Sequence, residues 1–222
     1  IKEINGRQIA IIGQAFPYTP IANPARLIPN LTFGIREQEL QTTLDTVKDK
    51  HKPDLVVVLS HNGIDVDKKL ASRVNGIDII LGGHTHDAVP NTIEVKNNSG
   101  VTLVANSGCN GKFISVMDIK FSGKSYTYEY NLIPILSNQI VPNKDMERYI
   151  NTISDPYKAE LSEIVGYASE TLYRRSNFNG TFDDLLCDSM NNVLDTQLSL
   201  SPGFRWGATL LPNQSINMED IY

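Results

Sequence analysis

The chain of 222 residues is 41% hydrophobic and 20% charged, ordinary globular proportions that allow one large domain or two small ones. Its net charge of −5 excludes the broad basic surface that binding to a nucleic-acid backbone requires. No apolar run approaches the roughly 20 residues of a membrane helix, so neither nucleic acid nor membrane is an expected partner. Cys109 and Cys187 stand far apart in unlike contexts and are expected as free buried thiols.

In chain order, Gln8 to Gly13 is a short β-branched run closed by glycine, and the proline-punctuated stretch from Pro17 to Pro29 reads as a long surface loop. Arg36 to Lys52 spaces Leu40, Leu44 and Val47 at i, i+4 and i+7, an amphipathic helix with His51 solvated at its end. Leu55 to Leu59 is a buried strand. Asp65 to Val74 is a short helix with Asp65 as N-cap and Val66, Leu70 and Val74 on one face, and Ile77 to Leu81 is the next buried strand. Strand, helix, strand with short connectors predicts parallel pairing, with helices on the faces of a central sheet.

From Thr92 the texture changes. Thr92 to Val95, Val101 to Ala105, Phe113 to Phe121 and Tyr126 to Ile133 read as antiparallel strands separated by Asn- and Gly-rich turns. After Pro134 to Pro142, Asp145 to Ala168 is helix-biased, with a break or fresh start at Pro156. Thr181 opens a helix to about Leu194 whose apolar face is Leu185, Leu186, Met190 and Val193, and Leu198 to Leu200 reads as a strand. Ile1 stands just ahead of a strand and Met218 to Tyr222 stops as a helix begins, so the chain reads as an internal piece of a longer protein.

Three of the four histidines fall just past the ends of two buried strands, in Ser60-His61-Asn62-Gly63 and Gly82-Gly83-His84-Thr85-His86-Asp87. Ligands in open α/β sheets collect at the carboxyl ends of strands, and neutral imidazole is a common metal ligand. A His-x-His pair on a turn can send its two rings to different ions. Gly82 and Gly83 are expected to take positive φ or to let backbone approach closely. Asn62 and Asp87 can orient the histidines or cap their turns.

These two segments resemble the last two metal motifs of the dinuclear metallophosphoesterases, in the 5′-nucleotidase group with its second, C-terminal domain. The resemblance implies that His61 and His84 bind one metal and His86 the other. The group's remaining ligands, an Asp-x-His motif, a bridging Asp and an Asn-His pair, belong upstream and are absent from these 222 residues. The implied fold is α/β: residues 1–136 as the C-terminal part of a layered sheet-and-helix catalytic domain, 137–156 as linker, and 157–222 as the start of the 5′-nucleotidase-type C-terminal α/β domain.

A narrower resemblance runs over essentially the whole chain. It is carried by Gly13 to Pro24, Asp65 to Val74, Phe178 to Leu185 and Ser201 to Gly207, which look like the SoxB thiosulfohydrolases of the bacterial sulfur-oxidation system. That family is periplasmic, uses two manganese ions, and releases sulfate from a cysteine-bound sulfonate on a sulfur-carrier protein. The implied site adds Arg205, whose planar fork suits sulfonate oxygens. Asn62 and Arg205 are the expected catalytic side chains, with Arg205 and Trp206 meeting substrate, and the carrier protein is the expected partner of a monomer. Phe16-Pro17-Tyr18 is either a wall of the substrate channel or a plain loop. A 5′-nucleotidase or related periplasmic phosphoesterase on the same metal site is the alternative, and a non-catalytic metal-binding or carrier-docking module is the second. With three histidines and no bridging carboxylate, the 222-residue piece alone is expected to be inactive.

Overall fold

The computed structural model describes residues 1–174, 179–201 and 209–221. The chain divides into two compact units, Ile1–Val141 and Pro142–Tyr222.

In the first unit, β1 (Lys2–Ile4) and β2 (Arg7–Gln14) form a hairpin, and the proline-rich loop that follows holds only a one-turn helix α1 (Thr19–Ala22) and a 3-10 turn (Ala25–Leu27). Then α2 (Glu37–His51), β3 (Leu55–Ser60), α3 (Ile64–Arg73) and β4 (Ile79–Gly82) alternate, followed by the antiparallel pair β5 (Ile93–Asn97) and β6 (Gly100–Asn106). The sheet order is β1-β2-β3-β4-β6-β5, with β2, β3, β4 and β6 mutually parallel. A long antiparallel hairpin, β7 (Phe113–Ser122) and β8 (Ser125–Pro134), forms its own two-stranded sheet.

Alternation along each strand sends side chains to two cores. Val56, Val58, Ala10, Ile80 and Val104 meet Leu40 and Leu44 of α2 and Leu70, Ala71 and Val74 at α3 on one face. Ile9, Leu55, Ile79 and Leu103 meet Met117, Ile119, Phe121, Tyr126 and Tyr128 of the hairpin on the other. The expected helix cover therefore occupies one face, and the β7-β8 hairpin covers the second. The hairpin stops short of the carboxyl ends, where Leu59 and Leu81 are 47% and 37% exposed.

Two further readings change. Gly63 is the N-cap of α3, and Asp65 lies inside its first turn. The buried stripe of α3 is Asp67, Leu70 and Ala71, running on to Val74, while Val66 is only half-buried. Asp67 shares the stripe because it lies three residues before Leu70 and seven before Val74.

The second unit begins with α4 (Lys144–Ser154), whose N-cap Asn143 accepts from the backbone N–H groups of Asp145 and Met146. Pro156 falls in a 3-10 turn, Asp155–Tyr157, followed by α5 (Lys158–Leu161). The helical bias expected to Ala168 ends there, because Ile164–Tyr167 is extended as β9. This unit is completed by β10 (Leu172–Tyr173), α6 (Thr181–Leu194), β11 (Thr209–Leu210), β12 (Ser215–Asn217) and α7 (Met218–Ile221). It pairs β9 with β12 and β10 with β11, both antiparallel, around Ala168, Leu172, Phe182 and Leu210. Asp183, at the third position of α6, accepts the N–H of Gly180 and the guanidinium of Arg174, whose side chain is 4% exposed. Leu198 and Leu200 are not a strand; they are 88% and 94% exposed in irregular backbone without a pairing partner among the described residues.

Candidate metal centre

Four chain segments reach one end of the first unit's sheet as their parallel strands finish: Gln14 at the end of β2, Ser60-His61-Asn62 after β3, Gly82 to Asp87 after β4, and Asn106 at the end of β6. The His61 N–H donates to the Gln14 carbonyl at 3.0 Å, which fixes where β3 releases the chain. Beyond β4 the backbone turns sharply, with Thr85 N–H donating to the Gly83 carbonyl at 2.9 Å.

His84 and His86 both adopt left-handed backbone, φ 71° and 61°. Neither Gly82 nor Gly83 does; the glycines provide close approach, and the left-handed turns fall on the histidines themselves. A Cβ on Gly83 would stand 3.2 Å from Nδ1 of His61, and one on Gly63, at φ 97°, would stand 2.8 Å from Cγ2 of Thr85. Two left-handed non-glycine residues in one short turn are costly and persist where surrounding structure over-determines them, which is typical of binding sites. The surroundings here are the Thr85 hydroxyl, which donates to Asp87 Oδ2 at 2.5 Å and accepts from the Ile64 N–H at 3.1 Å, and the Asp87 carbonyl, which accepts from the Gly108 N–H at 2.7 Å. Asp87 is thus a brace of the turn.

The His61 and His84 rings meet edge to face with centroids 5.2 Å apart. That separation is within reach of two imidazoles whose nitrogens each lie about 2 Å from a shared ion. Phe16 stacks on His84 at 4.0 Å and stands perpendicular to His61 at 6.2 Å, and Tyr18 packs against Phe16 at 5.8 Å. Phe16 is therefore a wall against these two histidines, with Tyr18 packed on it. His86, half-buried, leaves the same turn two residues further on. Among the described residues no group of three or more His, Cys, Asp and Glu side chains converges as a metal cage, so the chain offers an imidazole pair that fits one divalent ion without completing its coordination.

Behind the histidines lies a buried polar cluster. Asp67 is fully buried and accepts at one carboxylate oxygen from the Ser60 hydroxyl at 2.5 Å and from the Asn62 amide at 3.2 Å. The Ser60 oxygen in turn accepts the Asn62 backbone N–H at 3.1 Å. Burial pushes the Asp67 carboxyl above the usual aspartate range, opposed by the bonds from Ser60 and Asn62. Asn62 is 4% exposed and Asn106 2%, and Asn62 Oδ1, Asp67 Oδ2 and both polar atoms of the Asn106 amide are buried without a hydrogen-bond partner among the described residues. Asn62 is thus bonded inward to Asp67.

Arg205 and Trp206 lie outside the described residues, as does Phe178. Cys109 and Cys187 are free and half-buried. A cavity of about 410 Å³ lined by Ile12, Gln14, Leu31, Phe33, Arg36 and Leu40 opens from the end of β2, and none of the three histidines lines it. Asp67 and Ser60 are the residues that motif reading missed. The available signal was an acidic residue on the apolar stripe of α3.

No protein-family model matches the chain. It is 28% identical over 177 residues to the trifunctional nucleotide phosphoesterase protein YfkN of Bacillus subtilis, covering 78% of this chain and 12% of that one. It is 24% identical over 216 residues to the 5′-nucleotidase of Rattus norvegicus, covering 86% of this chain and 36% of that protein. Its backbone superposes on the Thermus thermophilus sulfate thiohydrolase SoxB, solved with glycerol, with a TM-score of 0.89 at 28% identity, over 99% of this chain and 40% of that one. The chain thus spans well under half the length of these similar proteins. Its fold is that of the superfamily of 5′-nucleotidases and dinuclear metallophosphoesterases. Within that class its fold is SoxB-like.

Proposed function

We propose that this chain is part of a dinuclear-metal hydrolase that releases sulfate from a cysteine-bound sulfonate on a sulfur-carrier protein, and that it works in the periplasm. The observation that carries this reading is the superposition of 99% of the chain on a sulfate thiohydrolase, with His61 and His84 paired at the carboxyl end of the sheet. In this reading His61 and His84 hold one ion and His86 helps to hold the second. The other ligands come from beyond these 222 residues. Two divalent ions bound there, manganese in this reading, would activate water and neutralise the charge that builds on the oxygens of the group being cleaved.

The chain's own residues supply position and shelter. The left-handed turn carries both His84 and His86, Asp67 and Ser60 fix the loop of His61, and Phe16 closes one side of the imidazole pair with an apolar ring. In this reading Arg205 receives the sulfonate oxygens and Trp206 meets substrate, while Asn62, expected from the sequence as a catalytic side chain, is buried against Asp67 and instead holds the His61 loop. In the overall step the oxygen of water joins the sulfonate sulfur, the bond from that sulfur to the carrier's sulfur breaks, and sulfate departs as one of the water's protons passes to the sulfur left behind and the other to solvent.

The second reading is a nucleotide phosphoesterase on the same metal site, favoured by the likeness to YfkN and to the rat 5′-nucleotidase. Fold and histidines are common to both, so the substrate decides. The complete protein, loaded with manganese, is expected to release sulfate from a thiosulfonated carrier protein. Turnover of AMP with none of the carrier would overturn the first reading. The 222-residue piece is expected to turn over neither.

A further inference from the structure

The structure assigns Asp67 a task beyond its helix: we propose that its carboxylate is the positioning group that holds the two histidine-bearing turns in register, so that His61 and His84 meet the same ion. This rests on the reading that those two histidines share a metal.

A carboxylate taken fully out of water costs several kcal/mol unless its bonds return that energy, and among the described residues Asp67 makes no ion pair with Lys or Arg. Its bonds go instead to the loop of His61. One oxygen takes the Ser60 hydroxyl and the Asn62 amide, so the residues on both sides of His61 hang on a single atom. Ser60 relays the hold to the Asn62 backbone at 3.1 Å, and the Asp67 N–H donates to the Gly63 carbonyl at 2.9 Å. Every residue of the 60–63 loop except His61 is therefore tied to Asp67, directly or through Ser60, leaving the imidazole as the loop's outward group.

The other oxygen faces the second turn. Oδ2 lies where Gly82 has no side chain: a Cβ at Gly82 would be 2.7 Å from it and 3.8 Å from Nδ2 of Asn106. Gly82 ends β4 two residues before His84. One carboxylate thus grips the His61 loop with one oxygen and abuts the root of the His84 turn with the other. Residues behind metal ligands act in this way, and their loss is felt in affinity more than in fold.

The test uses the complete protein, stripped of metal and titrated with manganese(II), alongside nitrogen-15 spectra of the histidine rings in the metal-free state. Asp67→Ala is expected to weaken manganese binding at the His61–His84 site by about 10- to 100-fold, and to displace both ring signals before any metal is added. Asp67→Asn keeps the oxygen that Ser60 and Asn62 grip, and is expected to restore both the affinity and the ring positions. Should Asp67→Ala not fold, Ser60→Ala removes one arm of the grip and is expected to move the same two readouts less. A folded Asp67→Ala with unchanged affinity and unchanged ring signals overturns the proposal, as does an Asn variant that fails as badly as Ala. Unchanged manganese stoichiometry in both His61→Ala and His84→Ala overturns the shared-ion reading itself, an outcome that the metal-free ring signals of the Asp67 variants keep separate.

Discussion

The two ends of the first unit's sheet each place a carboxylate against the strands, half-buried at one end and fully buried at the other, and they use it differently. At the amino end Asp78 stands just ahead of β4 and accepts the Val56 N–H of the neighbouring strand at 2.7 Å, and its charge acts on the Tyr126 hydroxyl of the hairpin. Asp54, ahead of β3, takes the Gln8 N–H at 2.8 Å and Arg7 at 2.9 Å, and Arg7 lies over the Phe121 ring at 4.8 Å. These contacts tie strand to strand and sheet to hairpin. At the carboxyl end, among the described residues, Asp67 leaves one oxygen without a partner, Asn106 leaves a whole amide so, and two histidines hold left-handed backbone. Polar groups at the amino end spend their bonds joining one segment to another; those at the carboxyl end keep unpaired atoms and left-handed backbone, as sites for function do.

The largest expected effect that can break this contrast is at Gly82. Gly82→Ala drives a methyl into Asp67 Oδ2 and is expected to destabilise the chain by about 1–3 kcal/mol. Gly13→Ala, near the end of β2 with no atom within 4 Å of the added carbon, is expected to change stability by less than about 1 kcal/mol in denaturant titration. Equal losses at both positions would dissolve the cradle at Gly82. Next comes Tyr126→Phe at the amino end, expected to change stability by no more than about 1 kcal/mol as the hydroxyl that feels the Asp78 charge is removed. The His61 and His84 ring signals should not move with it; a shift would mean that the two ends are coupled. The smallest effect is read by its pH dependence. Burial, opposed chiefly by the Val56 N–H, holds the Asp78 carboxyl above its ordinary range, and burial together with the Asp78 charge pushes the Tyr126 hydroxyl up to about 12. A carboxyl raised in the fold contributes stability that is complete below the ordinary aspartate value of 3.8 and is lost as pH rises through the folded value. Asp78→Asn has no such loss, so it should be the more stable form at neutral pH, with the gain fading as pH falls toward 3.8. A gain that grows on acidification contradicts the assignment.

Much of the first unit was legible. Leu55–Ser60 and Glu37–His51 fall within a residue of the boundaries that hydrophobic period alone implied, because a continuous apolar run and an i, i+4, i+7 stripe have one low-energy way to be buried. The helix α6 was legible in the same way, yet its expected face is poorly covered: Leu185 and Val193 are 41% and 79% exposed, and Phe182 is the residue buried. Periodicity marks which residues share a face and is silent about what covers it. Leu198 to Leu200 shows the same gap, since a strand exists only when another backbone supplies its hydrogen bonds. Asp67 was passed over because the apolar face was assigned to Val66, Leu70 and Val74, and a carboxylate shares the buried stripe only when Ser60 and Asn62, seven and five residues earlier, are brought against it.

By itself the sequence determined the alternation of strands and helices and the placement of three histidines just beyond two strand ends, since both follow from local periodicity and from where apolar runs stop. Through its motifs it also pointed to the superfamily. Only the tertiary structure decided that the hairpin, and not a helix, covers the second face, that His61 and His84 lie ring to ring under Phe16, and that the left-handed backbone falls on the histidines and not on the glycines beside them. Those outcomes depend on contacts between segments distant in the chain, whose geometry is set by the packing of the whole sheet and is written in no single stretch of residues.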